Sequence, residues 1–459
     1  MRKKSLFKKL VLGLTSLIVI GIVFIIVTIA IAGEKIFSGA NTNSNFLTIG
    51  NLEEPKADFG SGGRINILIL GRGGANHPGG LLTDTIQLIS INPSEPSLAM
   101  LAIPRDLAIN LPGDGFNKIN TAYSLGEQKK KGSGGASAKK VVSDLLDIPI
   151  HYYIDLDFTG FIKIIDTLGG VTINVEKGFY DPEFPAPDMR GYQPFSVKAG
   201  VQKMNGETAL KYARSRHGSN GEGSDFARAK RQQQVIKAVL NEVLKAGNLL
   251  NPAKMLSIIN TLGNHLNTDM SIGEAEEIAK IVKNISSEKI TQKTLDNTSG
   301  GLLVDNSSLG LGYTLVPRAG LNNYLEIQIE IHRFLADPLI KKESPTLLIK
   351  NLSGNPYAGK DFEKIISAYG FEVLSVEEGN QVQAKSEIKD YSKNKKNYSL
   401  NILKKRLGVS AKSESVPSEA DFVVVLGKDY KLFLPSYLRG QTRAASPSPT
   451  PKSSKSNKE

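Results

Sequence analysis

The chain has 459 residues, 40 % of them hydrophobic and 22 % charged, which is enough apolar material for two or three domains with buried cores. Its net charge of +12 invites a nucleic-acid reading, yet Arg2, Lys3, Lys4, Lys8 and Lys9 carry five of those charges and the tail from Arg439 adds four net, so the body between is nearly balanced. Bulk charge therefore gives no argument for a nucleic-acid partner, and the absence of cysteine excludes disulfides and thiol nucleophiles.

Residues 1–9 form a basic segment, expected to be cytoplasmic, and residues 10–33, LVLGLTSLIVIGIVFIIVTIAIAG, are an uncharged run of 24 residues. At about 1.5 Å per helical residue this run crosses a hydrocarbon core of about 30 Å. The preceding cations stay inside, so the pattern predicts a single-pass anchor in the cell membrane with everything from residue 34 outside. Residues 30–32 (AIA) resemble a signal-peptidase site, but the apolar run exceeds the roughly 7–15 residues of a signal core. Residues 34–63, rich in Asn, Ser and Gly, read as an extracytoplasmic linker.

The body begins at Arg64. Residues 65–70 (INILIL) form an apolar run rich in β-branched residues, as in a strand covered on both faces, and residues 86–91 and 98–103 give two further strands. A helix over 141–146, a strand over 151–156, a helix over 161–168 ended by Gly169-Gly170 and a strand over 171–175 follow. Ser224 and Asp225 open a helix that runs to about Lys245, and helical patterns recur over 272–284 and 324–335. This alternation predicts an α/β fold, an α-β-α layered domain with a mixed central sheet over 64–342. From about 343 to 430 the pattern restarts (TLLIKN, GKDFEKIISAYG, FEVLSV, SLNILKKRLG, DFVVVLG) as a small C-terminal α/β domain, and 431–459 reads as a disordered tail.

Residues 211–234, KYARSRHGSNGEGSDFARAKRQQQ, set Arg214, Arg216, Arg228 and Arg231 around a Gly/Ser/Asn loop. Guanidiniums repel, so such a cluster either awaits an anion or is neutralised by Glu207, Glu222 and Asp225 as ion pairs. If 215–217 are extended, Arg214 and Arg216 share a face; Arg228, Arg231 and Gln232 share one face of the helix, near amides that also attract anions. Upstream, residues 71–85 (GRGGANHPGGLLTDT) form a Gly-rich loop without the Gly-Lys-Ser/Thr ending of an NTP-binding loop, and residues 101–106 (LAIPRD) present Arg105 and Asp106 after Pro104. His77, His151, His217, His265 and His332 have no metal-site spacing, and no GxSxG elbow is present.

The ordered segments LTDTIQLISINP, AIPRDL, KINTAY, IDTLGGVTINV and NGETALKYARSRHGSNGEGSDFARAKRQQQ closely resemble the LytR-CpsA-Psr family of cell-envelope proteins over roughly residues 65–285, and the small second domain resembles the LytR C-terminal domain. That resemblance implies a Mg²⁺-assisted phosphotransferase that moves a glycopolymer from a polyprenyl-pyrophosphate carrier onto peptidoglycan. It assigns the pyrophosphate to Arg105, Arg214, Arg216, Arg228 and Gln232, and the metal to Asp84, with Arg105 and Asp84 as the catalytic pair. Relatives commonly carry a second acidic ligand where this chain has 71–74 (GRGG), and an arginine where it has Leu82; Arg72 and His77 are the nearby residues that could compensate. A catalytically degenerate wall-binding scaffold and a transcriptional attenuator are the rival readings. The second conflicts with the expected topology, which keeps the body away from DNA.

Overall fold

The computed structural model describes residues 56–245 and 262–431, apart from 76, 112, 187–189, 283 and 417. The expected basic segment, anchor and most of the linker and tail lie outside the described residues, among which no helix is long and apolar enough to cross a membrane.

The strands in chain order are β1 (Ile65–Arg72), β2 (Thr83–Asn92), β3 (Ser97–Ala102), β4 (Ala108–Leu111), β5 (Gly115–Lys118), β6 (Tyr152–Asp157), β7 (Val171–Val175), β8 (Phe179–Asp181), β9 (Phe195–Val197) and β10 (Gly200–Met204). They continue with β11 (Leu266–Thr268), β12 (Ile290–Thr294), β13 (Leu303–Asn306), β14 (Thr314–Pro317), β15 (Thr346–Asn351), β16 (Glu372–Glu378), β17 (Glu387–Asp390), β18 (Ala411–Ser413) and β19 (Phe422–Leu426). The central sheet has the order β11-β6-β1-β2-β3-β12 and is mixed: β1 pairs β2 antiparallel and β6 parallel, and β12 joins β3 in parallel.

Alternation along β1 explains why its apolar residues occupy both faces. Ile65 and Ile67 enter a core shared with helix Ile272–Val282, through Ala275, Ile278 and Val282. Leu68 and Leu70 enter the opposite core with Val142, Leu145 and Leu146 of helix Gly134–Leu146 and Ile327 and Ile331 of helix Leu325–Leu335. Each buried side chain of this size contributes about 1.5–3 kcal/mol of apolar transfer, so both layers are held by the sheet. The result is the expected α-β-α domain with a mixed sheet.

A third core lies under the arginine stretch. It joins β7, β8 and β9 to helices Phe158–Thr167 and Gly206–Arg214 and to Val235 and Ala238 of helix Asp225–Lys245. The second domain has its own sheet, β16-β15-β19-β17-β18, and its own core around Phe362, Phe422 and Val424. Helix Pro338–Glu343 packs with it: Ile340 is buried in that core, and the Glu343 carboxylate accepts from the Ser399 amide at 2.8 Å. This helix lies just ahead of the expected boundary at 343 and touches both units, since Lys341 also pairs with Glu95 at 2.6 Å.

Candidate active site

The Gly-rich loop after β1 is a closed turn. The Gly74 amide donates to the Gly80 carbonyl at 3.0 Å, Gly74 has φ +88°, and a Cβ on Gly80 would lie 1.8 Å from the Gly74 oxygen, so only glycine fits both ends. Beyond the loop, β2 and β3 pair antiparallel with Gln87 opposite Ala102, a register that brings Asp84 beside the turn after β3. That turn is fixed by Leu107 donating to the Pro104 carbonyl at 3.1 Å and by the Asn120 amide donating to the Arg105 carbonyl at 3.3 Å. The Arg105 guanidinium pairs with the Asp84 carboxylate and its Nε lies 3.4 Å from Asp106, which is itself paired with Lys118 at 2.7 Å.

The helix Asp225–Lys245 supplies the other wall. Ser224 caps it, accepting the Ala227 amide at 3.0 Å. Its Asp225 carboxylate holds Arg216 Nε at 2.9 Å and Arg228 at 3.0 Å. Burial alone would raise the Asp225 carboxyl, but Arg228, Arg216 and Arg105 together hold it below the usual range. Arg228 is only 6 % exposed, and its guanidinium is pushed down to about 10 by burial and by the like charges of Arg105 and Arg216, with Asp225 and Asp84 opposing. The Asp84 field also reaches Arg214, where burial lowers the guanidinium against the pull of that carboxylate.

Four guanidiniums thus share one region with the carboxylates of Asp84 and Asp225. Arg105 Nε and Arg228 Nε are buried with no hydrogen-bond acceptor. A cleft opens there, lined on its polar side by Asp84, Gln87, Arg105, Asp225, Arg228 and Gln232, with Ile86, Ile103 and Phe226 among its apolar walls. Such a surplus of positive charge, with two donors unused, is chemically complementary to a multivalent anion.

Several details differ from the sequence reading. Arg214 and Arg216 do not alternate along a strand: Arg214 ends helix Gly206–Arg214, with its guanidinium 4.3 Å from the Phe158 ring centroid and 3.2 Å from His77 Nε2, while Arg216 turns to Asp225. The neutralising acids also divide. Glu207 pairs with Lys211 at 2.9 Å, Glu222 pairs with Arg231, and only Asp225 reaches the cleft. Arg231, on the same helix, is 1 % exposed: it donates to the Tyr212 carbonyl at 2.9 Å, to the Glu222 carbonyl at 3.0 Å and to the Ser215 carbonyl, bracing the loop from within.

The two compensating residues also take other partners. Arg72 turns to Asp155, 2.8 Å away on β6, whose carboxyl burial pushes up to about 6 despite that pairing. His77 supports Arg214 and makes no contact with Asp84, its Nδ1 lying 2.7 Å from the Pro78 carbonyl. Among the described residues no group of three or more His, Asp or Glu is preformed to hold a metal. Asp84, with 30 % of its side chain exposed in the cleft, fits a cation that arrives with its phosphate ligands, since Mg²⁺ is typically held by one or two carboxylates plus phosphate oxygens and waters.

The sequence reading missed Asp181. It is fully buried on β8 and accepts the Ser215 hydroxyl and the amides of Arg216 at 3.0 Å and His217 at 3.2 Å, fixing the backbone that carries Arg216. Burial works to raise its carboxyl, and these hydrogen bonds hold it lowered. No local spacing marks it, because its partners lie 34 to 36 positions away.

Comparison with known proteins adds the lineage. Over 214 residues the chain is 33 % identical to the polyisoprenyl-teichoic acid–peptidoglycan teichoic acid transferase TagU of Oceanobacillus iheyensis, covering 47 % of this chain and 61 % of that protein. It is 35 % identical over 210 residues to the regulatory protein MsrR of Staphylococcus aureus, covering 45 % and 57 %. The chain thus spans about three-fifths of the length of these relatives. A crystal structure of TagV from B. subtilis aligns with a TM-score of 0.45 at 28 % identity, over 60 % of this chain and 98 % of that one. The LytR_cpsA_psr family model matches residues 35–323, and the chain belongs to that family.

Proposed function

We propose that this protein is a glycopolymer–peptidoglycan phosphotransferase that takes its donor from a polyprenyl-pyrophosphate carrier. The observation that carries the reading is the convergence of Arg105, Arg214, Arg216 and Arg228 with the acceptor-less Nε atoms of Arg105 and Arg228. A pyrophosphate satisfies them, and the TagU relative is named for transfer of a polyisoprenyl-linked polymer to peptidoglycan.

In the proposed reaction an acceptor sugar hydroxyl attacks the phosphorus nearest the glycan. Its oxygen forms the new P–O bond, the bond from that phosphorus to the bridging oxygen breaks, polyprenyl phosphate leaves with the bridging oxygen, and the hydroxyl proton passes to solvent. Arg105 and Arg228 stabilise the charge that develops on the bridging and non-bridging oxygens, Arg216 and Arg214 hold the outer phosphate, and Gln232 donates from the helix face. Bound Mg²⁺ would supply further charge neutralisation, with Asp84 as its protein ligand. The uncharged run 10–33, with five cations before it, supports a single-pass anchor holding the site outside the cell membrane, beside both substrates.

A second reading, a wall-binding scaffold without turnover, draws on Arg72: where relatives place an acid, this side chain is committed to Asp155. The deciding experiment incubates purified chain with a polyprenyl-pyrophosphate-linked disaccharide and peptidoglycan. Phosphodiester-linked sugar on peptidoglycan with release of polyprenyl phosphate supports the enzyme; binding of the donor without release supports the scaffold.

A further inference from the structure

The β13–β14 hairpin, which the sequence motifs leave unread, is joined directly to the turn that carries Arg105. The Leu315 amide donates to the Asp106 carbonyl at 2.9 Å, and Leu107 and Leu315 form a parallel bridge. Thr314 is buried and donates to the Asn306 carbonyl at 2.7 Å, which closes the hairpin. The strand leading into it ends at Thr294, itself part of the cleft wall. The hairpin is therefore a fixed shoulder of the site.

Beside this anchored strand Tyr313 is 47 % exposed, and among the described residues no ring or cation stacks on it. Its hydroxyl donates to Asp305 Oδ1 at 3.0 Å, an oxygen that also accepts from Asn297 Nδ2. Burial and the Asp305 hydrogen bond, with the fields of Asp305, Asp225 and Asp106, push the phenol up to about 12, so it remains a donor at neutral pH. Two of those acids, Asp225 and Asp106, contact the cleft arginines Arg228 and Arg105. An exposed aromatic face, held in place by its own hydroxyl beside an oriented carboxylate and an amide, suits one kind of ligand. The apolar C–H face of a pyranose lies on the ring, and its hydroxyls reach the carboxylate and the amide.

We propose that Tyr313 and Asp305 form the subsite for the pyranose ring next to the reacting phosphate, an assignment that rests on the transfer reaction above. The ring comes from one of two sources, the first sugar of the donor glycan or the acceptor sugar of peptidoglycan. Both present the same chemistry, and kinetics separates them.

The test uses the full chain and measures transfer while donor and acceptor are varied in turn. Tyr313→Ala is expected to raise one KM about tenfold, the loss of one good contact, with kcat within about twofold. A rise in donor KM assigns the subsite to the donor sugar, and a rise in acceptor KM to peptidoglycan. Tyr313→Phe, which keeps the ring, should stay within about threefold of wild type. Tyr357→Ala, on an exposed tyrosine of the second domain, should change nothing. The assignment is overturned if neither KM moves in Tyr313→Ala, or if Tyr313→Phe is as impaired as Tyr313→Ala, which would make the hydroxyl a brace for the hairpin. If the wild-type chain transfers nothing, the transferase reading fails and the subsite is judged by binding alone. Titration with chitotetraose and with the lipid-free donor disaccharide should then shift the Tyr313 ring signals in NMR spectra, and unshifted signals with both would refute it.

Discussion

Arginine is buried in two regions of this molecule, with opposite electrostatic outcomes. At the junction of the two domains Arg406 pairs with Asp147, its guanidinium 4.8 Å from the Tyr369 ring centroid, and His332 stacks on Tyr369 with the ring centroids 3.6 Å apart. One cation meets one anion there. In the cleft four guanidiniums and the Lys118 ammonium meet the three carboxylates of Asp84, Asp106 and Asp225. A buried charge without a partner costs several kcal/mol, so a balanced cluster can serve as a joint whereas an unbalanced one is tolerable only if an anion completes it. The comparison assigns structure to the first and binding to the second, and each assignment can be broken.

The largest effect is expected in the cleft. Arg105→Ala or Arg228→Ala should lower transfer by about 10² or more, as loss of a preorganised donor does, with little change in melting temperature because the cleft holds more cations than carboxylates and Asp225 keeps Arg216. Arg231→Ala should do the reverse of Arg228→Ala, three residues earlier on the same helix. It removes a fully engaged brace and leaves Glu222 unpaired, so a loss of about 3 kcal/mol by denaturant titration is expected. Equal loss of stability in Arg228→Ala and Arg231→Ala would erase the distinction between the two.

Asp84→Asn should leave folding intact and abolish the stimulation of transfer by Mg²⁺; activity indifferent to both this substitution and a chelator would remove Asp84 from the metal role. A chain ending at Asp337 should keep its transfer activity, because the cleft residues all precede the junction. Loss of transfer in a truncated chain that still folds would show that the second domain supports the site.

The smallest effect is a pH dependence at the junction. Burial and the Arg406 charge push the His332 imidazole down to about 3, against an ordinary value near 6.5. The unfolded chain therefore binds the proton first. Stability from this group is complete above about pH 6.5 and declines as the pH falls toward 3, by at most about 1.4 kcal/mol per pH unit. His332→Gln should flatten that decline in a pH series of unfolding titrations, and an unchanged slope would contradict it.

Much of this was legible in the chain. Runs such as INILIL and TIQLIS announce strands buried on both faces, because a sheet covered on two sides takes apolar residues on both of its faces. The arginine stretch announced a charge surplus. What helical spacing could not separate was Arg228 from Arg231, since both recur on a shared face and only the loop folding back over Arg231 buries it. Short hairpins were equally silent: β8–β9 and β13–β14 have three or four residues per strand, too few to establish a period. Asp181 and Tyr313 sit on those hairpins, which is why the brace of Arg216 and the sugar platform are visible only in three dimensions.

The most direct test of the cleft assignment is calorimetric titration of the purified chain with farnesyl pyrophosphate, with and without Mg²⁺, for wild type and the Arg105→Ala/Arg228→Ala double variant. The account predicts saturable binding to wild type that tightens when Mg²⁺ is present, and a loss of at least about 100-fold in the double variant. Equal affinity in the two proteins would contradict it.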